Sequence, residues 1–229
     1  MKTVGLIGGM SWESTITYYQ LLNEGVKAAL GGLHSAKILL YSVDFYEIES
    51  LMSRGEWDAA AELLGGVAAR LEAAGADMIL ICTNTLHKVA PQVQDRIRVP
   101  LVHIAEAAAD ELAANGITRV GLLGTKYTMT QEFYRDKLTA RGIDVLIPEG
   151  EDVDLVNRVI FNELCLGVVK EDSKAAYLRV IAQLQARGAQ GILLGCTELG
   201  LIVSKEDVTL PLFDTTVIHA NKALALALG

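Results

Sequence analysis

The sequence contains no apolar run of the ~18 residues that a bilayer span requires, so a membrane protein is not expected. Met1-Lys2-Thr3-Val4-Gly5 leads straight into an apolar strand, and no signal peptide is expected there. Cysteine is scarce. Cys82, Cys165 and Cys196 are an odd number without metal-ligand spacing, which suits a reducing cytoplasm and points to no metal site. Basic clusters are also lacking, and the net charge is -8, so nucleic acid is not an expected partner. An anionic substrate stays open, because local donors outweigh net charge. Gly5-Leu6-Ile7-Gly8-Gly9 is not Gly-x-Gly-x-x-Gly, no P-loop is present, and no cofactor is expected.

What the chain does contain is ordinary material for a compact core. Its 229 residues are 51% hydrophobic and 21% charged, enough for one large domain or two small ones. Short apolar runs alternate with amphipathic stretches. Strands are expected at Val4–Gly9, Lys37–Val43, Met78–Ile81 and Pro100–Ile104. A helix follows Ser11-Trp12-Glu13, and Trp57–Ala74 repeats Leu64, Val67, Ala68 and Leu71 at helical spacing before the stop at Gly75. Asp44–Gly55 reads as a loop with a short helix. The order then begins again, with strands at Val120–Thr125, Val145–Pro148, Gly191–Leu194 and Pro211–Asp214. Helices are expected at Thr130–Arg141, Val153–Leu166, Lys174–Arg187 and Thr215–Leu228. Such alternation predicts an α/β fold of short parallel sheets flanked by helices.

The second half repeats the first. Gly75-Ala76-Asp77-Met78-Ile79-Leu80-Ile81-Cys82-Thr83 lies over Gly188-Ala189-Gln190-Gly191-Ile192-Leu193-Leu194-Gly195-Cys196 at an offset of 113 residues. Val4–Gly8 lies over Val120–Gly124 at 116, and Val99–His103 over Leu210–Asp214 at 111. Three matches in one order point to an internal duplication and two pseudo-symmetric lobes. Ligands bind at the carboxyl ends of parallel strands. Duplicated strand ends are expected to enclose one site, with Thr83 and Cys196 approaching from opposite sides.

Cys196 follows a buried strand at a helix start, where backbone N–H groups favour a thiolate or a bound carboxylate. Two groups on opposite faces of one carbon suit proton removal from one face and delivery to the other. An alcohol is a far weaker acid than a thiol, so Thr83 is expected to donate a proton at most. Asn84, Thr85 and Thr197 either hold a substrate carboxylate or only cap helices. Thr125 and Thr128 either face the cleft or serve the turn. Glu198 either orients a substrate ammonium and influences Cys196 or adds a favourable charge to a helix start. Cys82 points to the opposite strand face from Thr83 and reads as core, as does Cys165. His87, His103 and His219 read as structural, and Asp214 as a helix cap. Arg54 and Lys126 read as solvated charges.

Gly8-Gly9-Met10-Ser11-Trp12-Glu13-Ser14-Thr15, Cys82-Thr83-Asn84-Thr85-Leu86-His87, Gly124-Thr125-Lys126-Tyr127-Thr128-Met129, Gly195-Cys196-Thr197-Glu198-Leu199-Gly200 and Asp214–Ala220 resemble the aspartate/glutamate racemase family. The resemblance spans essentially the whole chain. It implies two similar α/β lobes with a cleft site, and 1,1-proton transfer at the α-carbon of a small amino-acid or dicarboxylate substrate without a cofactor. Homodimers are the implied assembly, and Met10 is implied to line the site. The implied lobes are residues 1–98 plus 207–229, and 99–206. Cys196 would remove the α-proton of the L-enantiomer. The family has a first-half cysteine where this chain has Thr83, so better handling of L-substrates is expected. The cations that some relatives use for an acidic side chain, near Leu51 or Met52 and near Cys165, are missing here. Two alternatives stay open: an arylmalonate-type decarboxylase, which keeps only the second-half cysteine, and a carboxylate-binding protein that has lost catalysis.

Overall fold

A computed structural model describes residues 1–229, which divide into two compact units, 1–104 with 219–229 and 105–218. In chain order the elements of the first stretch are β1 (Val4–Gly8), α1 (Trp12–Leu30), β2 (Ile38–Ser42), α2 (Phe45–Ser53), α3 (Trp57–Ala73), β3 (Met78–Ile81), a 3-10 turn (Thr85–Val89) and α4 (Ala90–Gln94). They are followed by α5 (Ile104–Ala114), β4 (Arg119–Gly124), α6 (Lys126–Thr130), α7 (Glu132–Thr139), β5 (Asp144–Leu146), α8 (Glu151–Asn162) and a 3-10 turn (Leu164–Leu166). The chain ends with α9 (Glu171–Ala186), β6 (Ile192–Gly195), a 3-10 turn (Thr197–Leu201), β7 (Leu212–Asp214) and α10 (Thr215–Leu228). No helix is long and apolar enough to cross a membrane.

Both sheets are parallel throughout, as the alternation predicts. Their strand orders are β2-β1-β3 and β5-β4-β6-β7. An isolated bridge from Ile79 to Leu101 adds a fourth position to the first sheet, equivalent to β7. The duplication extends to the hydrogen-bonded register. Gly5 pairs with Ile79 in one unit and Gly121 with Ile192 in the other, at the same offsets of 116 and 113 residues that the sequence shows. These glycines permit close packing. A Cβ on Gly5 would lie 2.7 Å from Ile79 Cδ1, and one on Gly121 2.8 Å from Ile192 Cδ1. Beyond these strands, Ile79 N–H donates to Pro100 O and Ile192 N–H to Pro211 O, both at 2.9 Å.

Those bonds correct the expected lobe boundaries. The expected boundaries place Pro100–Ile104 in the second lobe and residues beyond 207 in the first. Residues 219–229 do lie in the first unit, but Leu101 joins the first sheet, and Leu212–Asp214 pairs with β6 in the second. The reason is local tethering. Gln94 accepts from Leu101 N–H and donates to Val99 O, while Glu72 accepts from the N–H groups of Arg98 and Val99. The Pro100–Ile104 segment supplies only a bridge, and α5 begins at Ile104. The expected Thr130–Arg141 helix begins only at Glu132, because Gln131 is extended at φ -96°, ψ 150° and separates it from the short α6.

Each unit has its own core. Tyr18, Leu22 and Val26 form one face of α1, and Tyr18 and Leu22 pack with Leu6, Leu80, Cys82 and Ala223. In the second unit Val180, Ile181 and Leu184 of α9 pack with Ile192, Leu194 and Tyr177. Burying these side chains stabilises each unit by roughly 1.5–3 kcal/mol per large residue.

The first unit also carries a buried polar network. Tyr18 hydroxyl lies 2.8 Å from His219 Nδ1, and His219 Nε2 lies 2.7 Å from Val102 O. The carbonyl can only accept, so Nε2 carries the proton and Nδ1 accepts from tyrosine. Burial pulls His219 down to about 3 and His87 to about 4, so both are neutral in the fold. An unfolded histidine takes up a proton near pH 6.5, which the folded chain refuses. Stability contributed this way is complete above pH 6.5 and is lost as pH falls toward 4. Urea unfolding should show a midpoint that is flat from pH 8 to 7. The expected loss by pH 5 is about 2 kcal/mol for each histidine. A midpoint unchanged between pH 7 and 5 would contradict the neutral assignment.

Candidate active site

In the first unit, the carboxyl ends of β1 and β3 lie side by side. Ile7 pairs with Ile81, and Cys82 N–H donates to Ile7 O at 3.0 Å. The Gly8-Gly9-Met10 turn leaves one strand end and the Cys82-Thr83-Asn84 turn the other. Gly9 stands at φ 95°, and a Cβ there would meet Val43 O at 2.2 Å, so the turn needs glycine. Thr15 donates to Ser11 O and accepts from Gly9 N–H, holding the turn against α1.

Thr83 is half-buried, while its neighbours from Leu80 to Cys82 and from Asn84 to His87 are buried. Its backbone is tied at both ends. Thr83 N–H donates to Ile81 O at 2.8 Å, and Thr83 O lies 2.8 Å from His87 Nδ1. Asn84 and Thr85 are buried behind it, at the start of the 3-10 turn. Asn84 occupies the cap position without a side-chain cap bond, so capping is not what it does. Cys82 is buried within the first core, and burial drives its thiol far above the usual range. Its reading as a structural residue agrees with that environment.

The second unit repeats this arrangement at β4 and β6, where Gly124 pairs with Gly195. A Cβ on Gly124 would sit 2.8 Å from Gly195 O, and one on Gly195 2.9 Å from Leu123 O. The two strand ends therefore approach more closely than any side chain would allow. Thr125 caps α6, accepting from Thr128 N–H, with the two hydroxyls 3.2 Å apart. Thr128 is fully buried against these glycines. Turn and capping chemistry thus accounts for both threonines.

Cys196 leaves β6 in an extended conformation and caps the 3-10 turn Thr197–Leu201. It is 8% exposed. Its Sγ–H donates to Glu198 Oε2 at 3.0 Å, and the same oxygen accepts from Thr197 Oγ1 at 2.7 Å. Its place at a strand end and helix start predicts a thiolate-favouring site. The thiol is instead pushed well above its usual value, first by burial and then by the Glu198 charge, with Cys165 adding to the effect. The Glu198 N–H acts the other way and is outweighed. The turn is a single short 3-10 segment, too brief for a strong dipole to offset desolvation.

The structure thus gathers Met10, Thr83, Asn84 and Thr85 at one edge of the first sheet. It gathers Thr125, Thr128, Cys196, Thr197 and Glu198 at the matching edge of the second. The sequence places Cys165 in the core. It packs, half-buried, against the core that contains Cys196. Only tertiary packing joins them, because 31 residues separate the two. Asp214 caps α10 as expected, accepting from Thr216 N–H at 2.8 Å, and burial raises its carboxyl. Lys126 pairs with exposed Asp154, and Arg54 with exposed Glu56.

Comparison with known proteins completes the picture. The family model described as Asp/Glu/Hydantoin racemase matches residues 7–223. A crystal structure from Yersinia pestis, provisionally described as an Asp/Glu racemase, is 55% identical, with each chain covered in full and a TM-score of 0.95. A Pyrococcus horikoshii aspartate racemase homologue is 36% identical, again over both full chains, with a TM-score of 0.87. The broad-specificity amino-acid racemase RacX of Bacillus subtilis is 21% identical over 99% of this chain and 98% of its own. With its duplicated parallel sheets and its strand-end Cys196-Thr197-Glu198 turn, this chain belongs to the Asp/Glu/hydantoin racemase family.

Proposed function

We propose that the protein is a cofactor-independent amino-acid racemase that moves the α-proton of a small amino acid, with Cys196 as the stronger of two unequal partners. The observation that carries this reading is the hydrogen bond from Cys196 Sγ to Glu198 Oε2. A buried thiol with a raised pKa is protonated at rest, and a carboxylate 3.0 Å away is a ready acceptor for its proton. Passing that proton to Glu198 leaves a thiolate. A substrate ammonium nearby would favour this step by opposing the negative charge. The thiolate then takes the α-proton, and the carbon's electron pair moves into the substrate carboxylate. Asn84, Thr85 and Thr197 supply polar groups for that carboxylate, and Met10 supplies an apolar wall.

The second partner is weaker by two substitutions. At the offset of 113 residues, Thr83 stands where Cys196 does, and Thr85 stands where Glu198 does. The first turn therefore lacks both the thiol and the carboxylate that would receive its proton. A Thr83 hydroxyl can give a proton to the carbanion and recover one from solvent, but it is a poor base for removing one. L-substrates are accordingly preferred, with Cys196 on the L face and Thr83 serving the other.

Incubation of L-glutamate and L-aspartate in deuterated water tests the reaction. Deuterium should enter Cα in the presence of the protein, and Cys196→Ala should abolish its entry. Carbon dioxide release from an arylmalonate would favour the decarboxylase instead, and tight amino-acid binding without exchange a carboxylate-binding protein. Thr83→Cys should gain activity on the D-enantiomer, and no gain would rule out the two-partner arrangement.

Glu198 has its own test. Its negative charge raises the Cys196 thiol, so Glu198→Gln should lower that pKa and increase the thiolate fraction. Alkylation of Cys196 by iodoacetamide at pH 8, followed by peptide mapping, should accelerate on the order of tenfold. Equal alkylation would show that the carboxylate does not control the thiol, and slower alkylation that it acts on the thiol as a base rather than through its charge.

A further inference from the structure

We propose that His87 is a positioning residue for Thr83, whose carbonyl it holds with a neutral imidazole locked in the Nδ1–H tautomer. The inference rests on the racemase reading above and concerns only the Thr83 half of the reaction.

The tautomer follows from the partners. Ile104 N–H donates to His87 Nε2 at 3.2 Å, so that nitrogen presents its lone pair. The proton therefore sits on Nδ1, which donates to Thr83 O at 2.8 Å. An imidazolium would set a second N–H against that of Ile104. Burial already disfavours the charge. The ring cannot swing away, because it is 1% exposed and packs against two other imidazoles. The ring of His103 lies 4.7 Å away and that of His219 5.6 Å, the latter edge-on. His219 is itself fixed by Tyr18 and Val102 O. With Thr83 N–H bonded to Ile81 O, both peptide groups of Thr83 are held, and its half-buried side chain has one backbone frame to project from.

The cysteine turn has no such device. The residue 113 positions beyond His87 is Gly200, which has no side chain to reach the Cys196 carbonyl. Cys196 O instead accepts from Leu199 N–H within its own 3-10 turn. This difference between the repeats matches the chemistry. A thiol bonded to a carboxylate has a local route for its proton. A hydroxyl is a poor acid, and its proton transfer depends on how well the oxygen is aligned with the reacting carbon. Holding the backbone that carries it supplies that alignment.

Two rates measured together on the full chain test the idea. L-glutamate and L-aspartate in deuterated water report deuterium entry at Cα by NMR, and chiral chromatography reports the D-enantiomer formed. Loss of alignment should lower inversion more than exchange. The ratio of inversion to exchange should fall about tenfold in His87→Ala. His87→Asn, whose amide nitrogen can stand near the Nδ1 position, should recover most of the ratio. His87→Gln, which reaches the Nε2 position instead, should not. A purely structural role would lower both rates together, in step with the folded fraction seen by circular dichroism. An unchanged ratio in His87→Gln, or a ratio that Asn does not recover, overturns the inference while leaving the racemase reading intact. Exchange with no D-product in the wild type also overturns it. Absence of exchange with either amino acid, or exchange that survives Cys196→Ala, overturns the racemase reading itself.

Discussion

Parallel pairing without antiparallel relief is the constraint on which the rest of the structure depends. In a parallel sheet every strand ends at the same edge, so the chain must leave from one side and return by a helix. β1 and β3 end together in one unit, and β4 and β6 in the other. The candidate site residues Met10, Thr83 and Cys196 stand within two residues of those strand ends. Glycines at Gly5, Gly121, Gly124 and Gly195 let the strands and their neighbours approach closely enough for this to work. The gathering of these residues at the strand ends is thus a consequence of sheet geometry before it is a matter of side-chain identity.

Duplication then offers the same frame twice, and the two copies have filled it differently. One holds a buried thiol against a carboxylate, with both proton-bearing groups within one short turn. The other holds a hydroxyl and substitutes a histidine clasp from behind. Burial acts in opposite directions on the two devices. It raises the Cys196 thiol and keeps it protonated, and it lowers His87 and keeps it neutral. Each group is therefore held in the state that can donate a hydrogen bond.

Much of this was legible in the sequence. The repeat carried the strand order with it, because equal spacing of apolar runs and glycines forces equal pairing. The offsets between Val4–Gly8 and Val120–Gly124, and between Met78–Ile81 and Gly191–Leu194, reappear as hydrogen-bonded register. Cys82 could be assigned to the core by strand alternation alone. The lobe boundaries could not, since they turn on whether Gln94 and Glu72 hold residues 98–101 to the first sheet. Side-chain clasps of that kind leave no periodic trace. The break at Gln131 escaped for a similar reason: no proline or glycine marks it.

The sequence by itself determined the α/β class, the duplication, and the identity of Thr83 and Cys196 as equivalent positions, because these are matters of spacing and residue type. Tertiary structure decided which way the Cys196 thiol is shifted. Strand-end location argued for a thiolate at Cys196, yet burial and the Glu198 carboxylate reverse the sign. His87 reads as one more buried histidine until Ile104 and Thr83 are seen on its two nitrogens. Desolvation and hydrogen-bond direction depend on what surrounds a group in space, and residues distant along the chain supply much of that surrounding.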